Sequence, residues 1–200
     1  MRHGRSVLVA LTALVASGCG GSLPGAPVPA AGFLPTEDTA NTSARPTSAT
    51  NSVASSAAPA IPTARRLAGV DLCSLVTGDD LTTLGGLAGV PAPRPDVFPE
   101  SCAFPLGAGA AGDVVLIAFY KPYDQVRDQQ PGGHEEFTLG HSTWVDCATP
   151  DGYQTCTAAV AARRDRSVVV VVSRRDTPST KVISLLQPLT ATVVGRLTPE

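Results

Sequence analysis

The sequence predicts one α+β domain, an antiparallel sheet with helices packed on one face, preceded by a signal peptide and a disordered linker. Three observations predict it. Short β-rich runs are joined by connections of hairpin length. The last twenty or so residues have apolar positions at helical spacing. The first 66 residues contain too little large apolar surface, outside one short run, to form a core.

The strands are predicted from runs of β-branched and aromatic residues. "VVLIAFY" (114–120) ends at Lys121-Pro122, and "SVVVVVSRRD" (167–176) is apolar enough to be buried on both faces. "STWVDCAT" (142–149) and "QTCTAAVAARRD" (154–165) flank the turn signal Pro150-Asp151-Gly152. Connections this short favour antiparallel neighbours.

Three helical segments are predicted. Thr77 or Asp79 caps a short helix that ends at Gly85-Gly86, and Tyr123 to Gln130 forms one or two turns. The segment "STKVISLLQPLTATVVGRL" (179–197) is helical, with Pro188 expected to kink or split it. Its apolar positions at helical spacing are Val182, Leu185, Leu186, Leu189 and Val193.

Residues 1–18 have the pattern of a signal peptide. Arg2 and Arg5 precede an uncharged apolar run, Val7 to Ala16, that is too short to span a bilayer. The following "VASGC", ending at Cys19, resembles the bacterial lipobox, in which the cysteine thiol receives a diacylglycerol before cleavage. This predicts lipid attachment at Cys19. The alternative is an uncleaved N-terminal helix.

Residues 19–66 are predicted to be a lipid-anchored disordered linker, and residues 67–200 the globular domain. Of the 47 residues from 20 to 66, 34 are Gly, Pro, Ser, Thr or Ala. A random coil of this length spans about 35–40 Å. Loss of Arg2 and Arg5 changes the formal net charge from −2 to −4, which gives no reason to expect a nucleic-acid partner.

Four cysteines remain in the domain, and an even number in an exported domain predicts two disulfides. Of the three possible connectivities we prefer Cys73–Cys102 and Cys147–Cys156, because the second pair brackets the Pro-Asp-Gly turn. The spacings do not suit zinc, whose cysteine ligands usually come in pairs two to four residues apart. No metal and no cofactor is predicted.

Two short motifs resemble a family of actinobacterial lipoproteins of unknown function. "VDLCSLVT" (70–77) is similar to the family's Asp-Pro-Cys-x-Leu-Leu-Thr opening, with Leu72 in place of the usual Pro. "CAF" (102–104) is similar to its later Cys-x-aromatic motif, with Phe104 where Trp is commoner. The resemblance implies a secreted, disulfide-linked α+β domain, and it supplies no catalytic residues.

Three patterns resemble catalytic or ligand-binding motifs. "GHSTW" (140–144) nearly matches the Gly-x-Ser-x-Gly nucleophile elbow, but Trp144 is too large for the last position. His134, Glu136 and His141 offer metal ligands, although Gly132-Gly133 favours a solvated loop. "GAGAAG" (107–112) lacks the Lys-Ser/Thr of a phosphate loop and is interpreted as a flexible turn.

Two arginine clusters, 163–166 and 174–176, flank the valine run. Phosphate or lipid-headgroup binding is one interpretation. The other, which we favour, is that charges keep an aggregation-prone strand soluble. If 157–163 and 167–173 form a hairpin, the two clusters lie at opposite ends of the last strand and do not form one patch.

These observations favour a non-catalytic binding or accessory module held on the outer face of the cytoplasmic membrane through Cys19. Its expected partner is a cell-wall component, a lipid or another exported protein. The alternatives are a lipid or small-molecule carrier, which needs an enclosed apolar cavity, and a small envelope hydrolase. The hydrolase requires His134, Glu136 and His141 to converge in one pocket.

Overall fold

The computed structural model describes residues 58–200, which form a seven-stranded sheet. The predicted signal peptide, Cys19 and most of the predicted linker lie outside the described residues. Every neighbouring pair of strands is antiparallel, in the order β1-β2-β3-β7-β6-β5-β4. The strands are β1 (Ala92–Pro93), β2 (Glu100–Pro105), β3 (Val114–Tyr120), β4 (His134–Thr138), β5 (His141–Ala148), β6 (Tyr153–Val160) and β7 (Ser167–Arg175).

The sheet consists of two meanders, β1–β3 and β4–β7, joined where β3 pairs with β7. Helix α1 (Tyr123–Gln129) connects β3 at the centre to β4 at the edge. Helix α2 (Ser179–Arg196) follows β7, and three 3₁₀ turns lie at Leu72–Ser74, Asp79–Leu84 and Pro150–Gly152. The predicted antiparallel α+β domain is therefore confirmed.

The valine run forms the centre of the core. Val168 to Val172 are each at most 3% exposed. Because side chains alternate along a strand, Val168, Val170 and Val172 join one apolar cluster, and Val169 and Val171 join the other. The prediction that this strand is buried on both faces is confirmed.

The first face of the sheet is covered by α2 and the first two 3₁₀ turns. The five apolar positions predicted for α2 are all buried against this face. Pro188 does not split the helix, which runs from Ser179 to Arg196. Proline has no N–H to donate to the Ser184 carbonyl one turn earlier in the helix. Because Pro188 and Ser184 are both exposed, water can bind that carbonyl instead.

The second face is covered by α1 and the loop before β2. Val126 of α1 and Phe98 of the loop pack on Ala159, Val169 and neighbouring apolar residues. The sequence predicts that the helices pack on one face; α2 covers the first face, and the short helix α1 packs on the opposite one.

Two disulfides fasten the domain, in the pairing preferred from the sequence. Cys73 in the first 3₁₀ turn bonds to Cys102 in β2, with 5.2 Å between Cα atoms. Cys147 and Cys156 are direct partners across β5 and β6, with 4.1 Å between Cα atoms. The first bond ties a surface turn to the sheet, and the second lies within a pair of strands that is already hydrogen-bonded.

Three strands, β1, β2 and β4, differ from the sequence prediction. Segment 134–138 was interpreted as a loop but forms the edge strand β4, whose side chains are mostly exposed. A polar edge strand lacks the apolar alternation that marks a half-buried strand. Strand β2, missed in the sequence analysis, pairs with β3 along its whole length.

Candidate functional site

The candidate site lies at one end of the sheet, which we call the proximal end because the described chain begins there. It is the end at which β3, β4 and β6 finish and β5 and β7 start. The opposite end, which includes Arg174, Arg175 and the glycine-rich loop 107–112, is called the distal end.

Residues 58–66 are bound to the proximal end by backbone hydrogen bonds. The Ala60 N–H donates to Ser142 Oγ, and the Ser142 N–H donates to the Ala60 carbonyl, both at 2.9 Å. The Arg65 N–H donates to the Ala162 carbonyl at 3.1 Å, and the Glu200 N–H donates to the Ala64 carbonyl at 2.9 Å. The ordered chain therefore extends to the N-terminal side of residue 67, the predicted domain boundary.

Two open clefts flank the turn between β6 and β7. The larger has a volume of about 760 Å³, and the smaller about 470 Å³. Asp165 borders both clefts. The other residues lining the larger cleft are Ala58, Pro59, Ile61, Ala64, Asp124, Arg163, Arg164 and Glu200.

The charges around the larger cleft are mostly paired. Arg163 donates to Asp165 Oδ1 at 2.9 Å and also contacts Glu200. The guanidinium of Arg163 holds the pKa of the Asp165 carboxyl below its usual range. Arg164 is exposed and has no carboxylate partner within residues 58–200, so its guanidinium remains available to an anionic ligand.

The smaller cleft combines aromatic and basic groups. Tyr120 packs edge-on against Phe98, with 4.9 Å between ring centroids. Lys121 Nζ lies 5.3 Å from the centroid of the Tyr120 ring. Arg166 donates to Glu100 at 3.0 Å and lies over the Phe119 ring. Such a surface suits a ligand with both apolar and anionic parts.

The near-match to a nucleophile elbow has a structural role. Ser142 lies inside β5, is 2% exposed, and its hydroxyl accepts the Ala60 N–H. A nucleophile elbow requires a sharp strand-to-helix turn, whereas residues 140–144 lead from a hairpin turn into an antiparallel strand.

The three proposed metal ligands do not form a cluster. His134 and Glu136 lie on the same side of β4 and pair at 3.0 Å between Nε2 and Oε1. His141 is fully buried, and its Nδ1 lies 2.8 Å from the Ala161 carbonyl, which assigns the proton to Nδ1. Within residues 58–200, no three His, Cys, Asp or Glu side chains are grouped so that they could hold a metal.

The two arginine clusters lie at opposite ends of β7, as predicted from the hairpin. Arg174 is held at the distal end by Asp113, at 3.2 Å, and by the carbonyls of Leu84 and Ala108. The glycine-rich loop, predicted to be a flexible turn, is instead held by hydrogen bonds to two of its carbonyls, from Arg174 to Ala108 and from the Tyr153 hydroxyl to Ala111 at 2.7 Å.

The residues that shape the proximal end were not predictable from the sequence. Lys121 was noted only as a strand terminator, and residues 58–66 were assigned to the linker. Backbone hydrogen bonds of the kind that hold Ala60 and Arg65 leave no signature in side-chain composition. The one sequence feature that could have indicated the smaller cleft is the pair Tyr120-Lys121, an aromatic and a basic residue at the end of a buried strand.

The fold and the site define a disulfide-linked α+β domain with charged clefts at one end of an antiparallel sheet. The chain belongs to the family described as "Protein of unknown function (DUF3558)", whose model matches residues 14–182. No curated protein and no solved structure matches the chain significantly. In residues 58–200, no helix combines the length and the apolar character needed to cross a membrane.

Proposed function

We propose that the protein is a lipoprotein, anchored through Cys19 to the outer face of the cytoplasmic membrane, whose domain is a non-catalytic binding module. Three observations support the anchor. "VASGC" resembles a lipobox, two disulfides suit an oxidising compartment, and the family match includes Cys19.

The observation that carries the binding role is the position of the clefts. Ala58, which belongs to the predicted linker, lines the larger cleft beside Arg163 and Arg164. A ligand in this cleft would therefore lie next to the predicted tether. The partner classes that fit are an anionic cell-wall component and an exported protein with exposed carboxylates.

Two alternatives have less support. A hydrolase would need an exposed, activated nucleophile, and the hydroxyl of Ser142 is buried and occupied by Ala60. A carrier would need an enclosed apolar cavity, and the two clefts at the proximal end are open and bordered by charged side chains.

Two experiments in the native host test the proposal. Metabolic labelling with an alkyne fatty acid should label the wild-type protein and not Cys19→Ala; equal labelling would refute the anchor.

A photo-crosslinking amino acid at position 164 should give a discrete adduct in living cells. The matched control is position 181, where Lys181 is also basic and exposed but lies at the distal end. The same adducts from both positions, or none from 164, would refute a ligand at the cleft.

A further inference from the structure

We propose that the proximal end of the domain docks on the surface of an anionic bilayer. The proposal rests on the lipid anchor and goes beyond it, since an anchor alone leaves the domain free to take any orientation. The occupant to which we commit is a lipid surface with negatively charged headgroups. Three features of the described residues support it.

The first feature is where the chain enters the domain. Residues 58–66 are fixed to the proximal end by Ala60 and Arg65, so the chain from Cys19 arrives there. The predicted linker between Cys19 and Ala58, as a random coil, would span about 35 Å. Such a tether holds the proximal end close to the bilayer.

The second feature is an apolar hairpin tip at the same end. Phe137 is 67% exposed and Leu139 is 54% exposed, and both belong to the β4–β5 hairpin. Gly140 in the turn lies against Pro62, since a Cβ at position 140 would be 3.3 Å from Pro62 Cγ. The apolar tip is therefore beside the segment through which the chain enters. Aromatic and aliphatic side chains flanked by cations are typical of interfacial membrane contacts.

The conformation of Leu139 strengthens this point. Leu139 and Gly140 form the two-residue turn with φ of 51° and 82°. Turns of this kind favour Asn, Asp or Gly at the first position, because a side chain such as leucine is strained at positive φ. Here a leucine occupies the strained position while more than half of its side chain stays in water. Part of the side chain packs beside Gly195 of α2, where a Cβ would lie 3.8 Å from Leu139 Cδ1, and the exposed remainder is available to a lipid surface.

The third feature is the distribution of charge. Segments 58–66, 121–124 and 163–166 contain six basic and two acidic side chains. Glu100 and Glu200 pair with Arg166 and Arg163, which leaves a net of two positive side-chain charges. Residues 58–200 as a whole have twelve basic and fifteen acidic side chains. The proximal end is thus positive on an acidic domain, which orients it toward an anionic surface.

The test uses the mature chain without its lipid, residues 19–200 with Cys19→Ala, and sedimentation with large vesicles. We expect binding to vesicles of phosphatidylglycerol and phosphatidylcholine that is at least tenfold tighter than binding to phosphatidylcholine alone, and that weakens as salt rises. Phe137→Ser with Leu139→Ser should weaken binding at least tenfold, and Arg164→Ser several-fold. The matched control is Val90→Ser, because Val90 is 86% exposed and lies near β1 at the other edge of the sheet.

Thermal unfolding of each variant shows whether it is folded. If the double variant does not fold, Phe137→Trp provides a second measurement. On binding to anionic vesicles, the fluorescence emission of the introduced indole should shift to the blue and be quenched by brominated lipid. The wild-type emission, which comes from Trp144, is the reference. No binding to anionic vesicles, equal binding to both vesicle types, equal loss in Val90→Ser, or an unshifted emission from the Phe137→Trp variant would overturn the proposal. Fatty-acid labelling of Cys19 is read separately, so failure of docking and failure of the anchor are distinguishable.

Discussion

Asp113 and Arg174 form a buried ion pair that joins the start of β3 to the end of β7, with Asp113 Oδ2 3.2 Å from Arg174 Nε. The Asp113 side chain is 1% exposed, and its other oxygen accepts the Arg175 N–H at 2.9 Å. Arg174 also donates to the carbonyls of Leu84 and Ala108. One ion pair thus connects two central strands, the second 3₁₀ turn and the glycine-rich loop.

Asp113→Ala should lower the free energy of unfolding by about 2 kcal/mol, because the partly buried guanidinium of Arg174 and the Arg175 N–H both lose their carboxylate acceptor. Urea unfolding measures this. The control is Asp176→Asn, which changes an exposed carboxylate in no ion pair within residues 58–200 and should alter stability by less than about 0.5 kcal/mol. Equal stability of the two variants would contradict the structural role of the pair.

The ion pair between Asp80 and Arg196 makes stability depend on pH. The two guanidinium contacts are 2.6 and 2.9 Å long, and the bonds from Arg196 lower the pKa of Asp80 to about 2. Since an unfolded Asp has a pKa of about 3.9, the pair stabilises the fold above pH 4. That contribution is lost as pH falls from about 4 to 2.

Asp80→Asn should therefore cost about 1 kcal/mol at pH 7. The figure is smaller than the pKa shift alone implies, because the Arg196 side chain is 38% exposed and solvent screens the charge. The difference between wild type and variant should shrink toward pH 2 in urea titrations at several pH values. A difference that is constant with pH, or that grows in acid, would rule out this linkage.

The two disulfides should differ in their effect on stability. The sequence separations are 29 residues for Cys73–Cys102 and 9 for Cys147–Cys156. The chain-entropy model gives losses of about 3.5 and about 2.6 kcal/mol when each pair is replaced by alanine. Denaturant unfolding of the two double variants tests the order, and a larger loss for the shorter loop would contradict it. In the protein with both disulfides intact, an alkylating reagent should modify none of the four cysteines of the domain until a reductant is added.

The turn conformation of Leu139 predicts which substitutions the hairpin tolerates. Leu139→Asn and Leu139→Val both remove part of the leucine side chain. Asn tolerates positive φ, whereas β-branched Val is strained there. The Val variant should therefore unfold at least about 1 kcal/mol more easily than the Asn variant. Thermal or urea unfolding of the pair measures this, and equal stability would show that the turn does not hold position 139 at positive φ in solution.

The strongly patterned elements of the fold were predictable from the sequence. The valine run and the run 114–120 have burial patterns that only central strands satisfy, and the apolar spacing of α2 identifies its buried face. Edge strand β4 was not predictable, because its polar residues face solvent and its turn lacks the usual Asn-Gly. Strand β2 was not predictable because its sequence, "ESCAFP", has a single large apolar side chain and ends in proline.

The candidate site was less predictable than the fold. Arg163 and Arg164 were recognised as a cluster, but their neighbours Ala58 and Glu200 are far away in sequence. Residues 58–66 have the composition of a linker and are nevertheless held by main-chain hydrogen bonds, for which composition is no guide. The separation of the two arginine clusters was predictable from the hairpin of β6 and β7. One cluster lies in the turn of that hairpin, and the other lies at the far end of β7.

The most direct test of the account is intact mass and N-terminal peptide analysis of the protein isolated from membranes of its host. The account predicts a chain that begins at Cys19 and carries a diacylglycerol on its thiol, with both disulfides formed. A chain that retains residues 1–18 and carries no acyl group, or one recovered from the cytosol with four free thiols in residues 67–200, would contradict it.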